Sequence, residues 1–152
     1  MQLDSLYQEV ILDHYKRPEY KGLSANPDVQ VHHVNPSCGD ELTLNLCLKD
    51  GLVEISWDGI GCSISMASAS IMAGLLNGKT LEETTPILDS FLSLMQSKGT
   101  NKGDETVLED AVAFAGVSKY PARIKCALLG WMAFKDAAVQ IQGKVQRTVE
   151  EK

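Results

Sequence analysis

The stretch from Glu41 to Trp57 constrains the possible fold more than any other. Leu42, Leu44, Leu46 and Leu48 alternate with Thr43, Asn45 and Cys47. Successive strand side chains point to opposite faces, so this is a strand with one buried face. Asp50-Gly51 then offers two residues suited to a tight turn, after which Val53, Ile55 and Trp57 alternate with Glu54 and Ser56. A two-residue turn of that kind closes a hairpin and sets its register. A slip of one residue would turn the leucines toward water, so the pairing is strongly specified. Val29, Val31 and His33 also alternate, which brings the prediction to three antiparallel strands.

Helical periods occupy most of the rest. Leu6, Val10, Ile11 and Tyr15 predict a helix over Ser5 to Lys16, with Ser5 and Gln8 as a capping box and Arg17-Pro18 as its end. Glu19 to Asp28 has no period and reads as a loop. Ser63 to Leu76 is rich in Ala and Ser, which permits close helix packing, and Asn77-Gly78 supplies its stop. Thr85 before Pro86 predicts an N-cap for a third helix whose apolar stripe runs from Ile87 to Met95. A short helix is expected over Val107 to Ala115, ended by Gly116, and a last one from Ala122 to about Gln140. With 152 residues the expectation is a single domain over residues 1–142, followed by a charged tail, 143–152, that frays.

Four cysteines carry the chemistry. In Asn35-Pro36-Ser37-Cys38-Gly39-Asp40 a thiol and a carboxylate stand two residues apart across a glycine, and proline and glycine together suit a tight loop on which both converge. Cys62 follows Gly61, and Cys126 lies near the start of the last predicted helix, so three thiols and a carboxylate are available for a four-coordinate site. Each of these cysteines sits at the end of an element, whereas an inert core thiol favours an interior. Cys62 and Cys126 also fall at predicted helix starts, where the dipole favours a thiolate and predicts a lowered pKa, although Cys126 taken alone reads as an inert core thiol on its helix. Cys47 lies inside a strand, on the face away from the leucines, and is read as a bystander.

His32 and His33 precede the Cys38 loop closely enough to support it, while His14 reads as an ordinary helix histidine. Arg123 and Lys125 flank Cys126. Three thiolates and Asp40 around a divalent ion leave an excess of negative charge, which these two cations are placed to offset; solvated helix charges are the plain alternative. Three sulfurs and an oxygen suit zinc, and thiolates equally suit an iron-sulfur cluster, so spacing leaves both open.

A formal charge of -6 and the lack of a basic run argue against a nucleic-acid partner. The longest apolar stretch, Cys126 to Phe134, is far short of the roughly 18 residues a membrane span needs. The first residues show no basic region leading into an apolar one, so a cytoplasmic location is expected. Thiols stay reduced there, which favours metal or sulfur chemistry over disulfides.

At Asn35-Pro36-Ser37-Cys38-Gly39-Asp40, at Gly61-Cys62-Ser63-Ile64-Ser65-Met66-Ala67-Ser68-Ala69-Ser70 and at Arg123-Ile124-Lys125-Cys126-Ala127-Leu128, the chain resembles the IscU/NifU N-terminal-like family of iron-sulfur cluster assembly proteins. Nearly the whole chain takes part. It is most similar to the SufU branch, because Lys125 stands where the IscU branch carries a histidine and because the segment from Cys62 to Cys126 is longer. The resemblance implies an α+β fold, a three-stranded antiparallel sheet with helices packed on one face. It further implies zinc at Cys38, Asp40, Cys62 and Cys126, and a zinc-dependent sulfurtransferase that accepts sulfur on Cys38 from the persulfide of a pyridoxal-phosphate cysteine desulfurase. Cys38 is the expected acceptor because its loop can move, whereas Cys62 and Cys126 are anchored at helix starts. The IscU branch implies the alternative, a scaffold whose Cys38, Cys62 and Cys126 hold an iron-sulfur cluster that passes to downstream assembly proteins.

Overall fold

The computed structural model describes residues 5–150. Its elements are α1 (Ser5–Lys16), β1 (Val29–Asn35), β2 (Asp40–Lys49), β3 (Leu52–Ile60), α2 (Ser63–Leu76), α3 (Leu81–Gln96), α4 (Glu105–Leu108), a 3₁₀ helix (Glu109–Lys119) and α5 (Pro121–Glu150). The sheet has the order β1-β2-β3 with both pairs antiparallel, as the alternation predicts. Lys49 pairs with Leu52 across Asp50 and Gly51, whose φ angles of 55° and 78° are those of the expected two-residue turn. Leu42, Leu44 and Leu46 are fully buried. The hairpin is longer than predicted, because Asp58, Gly59 and Ile60 continue β3 opposite Thr43, Leu42 and Glu41. Gly59 makes this possible: a Cβ there would fall 2.4 Å from the Glu41 carbonyl oxygen.

Helices α2 and α5 pack on one another, and α5 lies against β1 and β2. The Ala/Ser content of α2 is explained by burial, since all its residues except Ser63 and Gly74 are buried. Gly130 of α5 comes so close that a Cβ would lie 3.2 Å from the Ala69 Cα. Ser68 Oγ donates to the Ala127 carbonyl at 2.6 Å and accepts from Trp131 Nε1 at 3.1 Å. These contacts fix how far along α2 the helix α5 sits, and so where Cys126 arrives. Phe91 stacks on Trp131 at 4.1 Å and meets Phe114 edge-on, tying α3 and the 3₁₀ helix into the same core. On the free side of β3, the Gly22 N–H donates to the Trp57 carbonyl and the Trp57 N–H to the Tyr20 carbonyl, so this edge is covered.

The helix boundaries depart from expectation in three places. Helix α3 begins at Leu81, with Thr80 rather than Thr85 as its cap. Thr80 Oγ1 accepts from the Glu83 N–H at 3.1 Å and Glu83 Oε1 from the Thr80 N–H at 2.9 Å, a reciprocal box that satisfies two terminal donors. Pro86 is then a residue within the helix. The segment expected as a helix ending at Gly116 is instead one short α-turn that breaks at Glu109, φ 46°, and a 3₁₀ helix that runs through Gly116 to Lys119. Burial of Ala111, Val112, Phe114 and Val117 outweighs the modest penalty of one helical glycine. Helix α5 passes Gly143 and continues to Glu150, beyond the expected end near Gln140. The proposed Ser5 cap and residues 151–152 of the tail lie outside the side chains and residues described. Among the described residues no helix is long and apolar enough to cross a membrane.

Candidate metal centre

The β1–β2 loop carries Cys38 at an exposed tip, between Asn35 and Asp40, which pair across the strands. The Cys38 N–H donates to the Asn35 carbonyl at 3.2 Å, and Gly39 takes φ 69°, a left-handed conformation that costs glycine little. Cys62 is the N-cap of α2 and is half-buried. Cys126 lies in the second turn of α5 and is fully buried. Thus the three thiols come from a hairpin loop, a helix cap and a helix face.

Cys38, Asp40 and Cys126 bring one ligand atom each to within 4.8 Å of one another. The Cys38 and Cys126 sulfurs are 3.1 Å apart, and both thiols are free. Cys62 joins them through Asp40, its Sγ standing 3.8 Å from Oδ2. The carboxylate is the hub: it is 1% exposed, Oδ1 accepts from the Cys62 N–H at 2.9 Å, and Oδ2 accepts from Ser65 Oγ at 2.5 Å. Gly61 lies flush against it, so that a Cβ there would stand 2.5 Å from Oδ1. Asn35, also buried, directs its Nδ2 at the Cys126 sulfur at 3.7 Å.

The lowered pKa expected of Cys126 from its helix start does not hold. Burial, then the hydrogen bond with Cys38, then the charge of Cys62 push this thiol well above the ordinary thiol range. Desolvation and crowding with anionic neighbours outweigh a dipole that is already screened within the first turn. Asp40 makes no ion pair with a lysine or arginine among the described residues. A buried carboxylate with three sulfurs around it and no paired cation is a donor set for a soft or borderline metal ion, and zinc fits it.

The other predicted participants are placed elsewhere. Arg123 and Lys125 are exposed on the first turns of α5 and form no ion pair with Asp40. His33 Nε2 meets Asp136 at 2.8 Å, His32 Nδ1 meets Thr43 Oγ1 at 2.8 Å, and His14 Nδ1 meets Ser70 Oγ at 2.8 Å, so no histidine supports the cluster through these bonds. Cys47 pairs with Glu54 near the turn end of the hairpin, at the opposite end from Asp40. Ser65 and Asn35 were legible as residues of the motifs but not as contacts. A hydroxyl three residues after a helix-capping cysteine, Cys62 to Ser65, is the signal that could have found the first; the second had none beyond its place beside Pro36.

The family profile described as NifU-like N terminal domain matches residues 6–127. A protein of Bacillus subtilis named zinc-dependent sulfurtransferase SufU is 44% identical over 142 residues, 93% of this chain and 95% of its own. One of Streptococcus pyogenes, named iron-sulfur cluster assembly scaffold protein IscU, is 39% identical over 137 residues, covering 89% of this chain and 84% of its own. Among solved structures, a protein described as a putative iron-sulfur cluster assembly scaffold protein for the SUF system, from Fervidobacterium islandicum, superposes with a TM-score of 0.78 at 32% identity, over 86% of this chain and 94% of that one. Since the matched residues carry Cys38, Asp40, Cys62 and Cys126 on one α+β frame, the chain belongs to the NifU-like N-terminal domain family.

Proposed function

We propose that this protein is a zinc-dependent sulfur-transfer protein of iron-sulfur cluster assembly, with Cys38 as the sulfur acceptor and Asp40, Cys62 and Cys126 as the remaining ligands. The observation that carries this is the asymmetry of the cluster. Cys38 is exposed at a loop tip, whereas its partners Asp40 and Cys126 are buried. The name of the Bacillus subtilis relative supports the same chemistry.

When bound, zinc would stabilise the ligand sulfurs as thiolates at neutral pH. The chain's own residues do the rest. Asp40, held by the Cys62 N–H and by Ser65, stays in place, and Cys126 is anchored in the core. The Cys38 thiolate can then meet a cysteine persulfide presented from solvent by a cysteine desulfurase. Its sulfur attacks the outer persulfide sulfur, a new S–S bond forms on Cys38, and the partner's cysteine leaves as a thiolate. Two electrons enter the new bond and two leave with the departing sulfur, so no external oxidant or reductant is required. Arg123 and Lys125 are exposed on the first turns of α5, and their proposed part is no more than general positive charge near the site as such a partner docks.

Incubation with a cysteine desulfurase and cysteine, followed by peptide mass spectrometry, tests this. One added sulfur is expected on the Cys38 peptide, and none in Cys38→Ser; sulfur on Cys62 or Cys126 with Cys38 unmodified would refute it. The scaffold alternative is favoured by the name of the Streptococcus pyogenes relative. It predicts instead that anaerobic iron and sulfide give a stable coloured cluster dependent on Cys38, Cys62 and Cys126.

A further inference from the structure

The four ligands are unequally restrained by their surroundings. Asp40 is held on both oxygens, by the Cys62 N–H at 2.9 Å and the Ser65 hydroxyl at 2.5 Å. The same hydroxyl lies 3.4 Å from the Cys62 sulfur. Cys126 receives the Asn35 amide at 3.7 Å, and its own sulfur lies 3.6 Å from the Ala122 carbonyl, one turn earlier. Cys38 differs: its sulfur lies 3.1 Å from that of Cys126, itself a ligand in this reading. Ser65 is fully buried and Asn35 is 6% exposed, so both act where water does not compete.

We infer that Ser65 and Asn35 are positioning residues that make Cys38 the one labile ligand of the site. Ser65 occupies Oδ2 and keeps the carboxylate aimed, and its one proton serves either Asp40 or the Cys62 sulfur beside it. Asn35 does the same for Cys126 from the strand side, so that a group leaving the site takes the unrestrained path, through the Cys38 loop. Neither residue touches an incoming sulfur. Their effect is on which ligand moves. Polar groups that orient ligands from behind commonly change metal affinity by about 10–100-fold when removed, the scale expected for Ser65→Ala.

This inference rests on the zinc-binding part of the proposal above, and its test needs no desulfurase. Zinc-loaded protein is treated with substoichiometric iodoacetamide, and the alkylated cysteines are mapped by mass spectrometry over time. Among the three candidate ligand cysteines, wild-type protein should be alkylated first at Cys38, with Cys62 and Cys126 protected, while Cys47, a free thiol outside the site, is followed separately. In Ser65→Ala, Cys62 should become reactive and zinc should be lost about 10–100-fold more readily to a competing chelator, while Ser65→Thr, which keeps the hydroxyl, restores the wild-type order. Asn35→Ala should expose Cys126 in the same way, and Asn35→Asp, which removes the amide donor, should resemble it. Circular dichroism melts of the metal-free variants establish that each is folded at the assay temperature, so that a changed alkylation order in the zinc-loaded protein reports the ligands and not global unfolding. Unchanged alkylation order in zinc-loaded Ser65→Ala and Asn35→Ala overturns the inference and leaves the sulfur-transfer proposal standing. Failure of the wild-type protein to retain zinc at all overturns that proposal instead.

Discussion

Replacing Gly61 by alanine isolates the contact that seats the carboxylate. The added Cβ falls 2.5 Å from Asp40 Oδ1, 2.9 Å from its Cγ and 3.0 Å from its Cβ. Restoring an ordinary contact of 3.4 Å requires Oδ1 to retreat by about 0.9 Å, in a site where Asp40 is 1% exposed. Such a shift loosens the bonds from the Cys62 N–H and Ser65. A hydrogen bond to a charged group is worth about 1.5–3 kcal/mol. For a domain of this size the metal-free protein should therefore melt roughly 3–12 °C lower if one such bond is lost. Zinc should bind about 10–100-fold more weakly, as for other changes that misdirect a ligand. Gly61 does not have a left-handed φ, so backbone strain plays no part. Gly143→Ala, where a Cβ meets nothing within 4 Å, is the control and should change neither quantity adversely. The assays are a zinc competition titration against a chromophoric chelator and a thermal melt of each form. A Gly61→Ala protein with wild-type zinc affinity would refute the steric argument, since the carboxylate would then have accommodated a methyl group without losing its place.

Zinc removal should destabilise the whole domain, because the proposed ligands from β2, its preceding loop, α2 and α5 come together only in the folded chain; an unchanged melting temperature after verified removal would count against a shared site. Cys47→Ser should retain full zinc stoichiometry, measured by elemental analysis, because Cys47 pairs with Glu54 away from the ligands. Asp136 is held below the ordinary carboxylate range by its hydrogen bond with His33, then by that with Gln140. A depressed carboxylate stabilises the fold above its unfolded pKa, near 3.8, and that contribution is lost as pH falls through the lower folded value. Asp136→Asn should therefore cost less than about 1 kcal/mol near pH 6, and urea melts of variant and wild type should converge as the pH falls below the depressed folded value. Persistence of the same difference at pH 2 would show that the effect is not ionic.

The alternation of Leu42, Leu44 and Leu46 and the Asp50-Gly51 turn determined the hairpin from sequence, because period and turn chemistry are local properties that burial then reinforces. The same holds for α2, whose small residues announced the close approach that Gly130 and Ala69 make. The candidate ligands were legible too, since Cys38 and Asp40 sit two residues apart and Cys62 and Cys126 fall at element ends. Where these signals competed with longer-range terms they were overridden. Thr85-Pro86 looked like a helix start, yet the reciprocal Thr80–Glu83 bonds set it earlier. Gly116 looked like a stop, yet a buried row from Ala111 to Val117 carried the chain through it. Tertiary structure alone decided the state of Cys126, because its high pKa comes from burial and from sulfurs far off in sequence and not from its place on the helix. It alone brought Ser65 and Asn35 to the candidate ligands, and sent His33 to Asp136 instead. Such contacts depend on where α5 docks against α2 and β1, a distance set by packing that no spacing along the chain encodes.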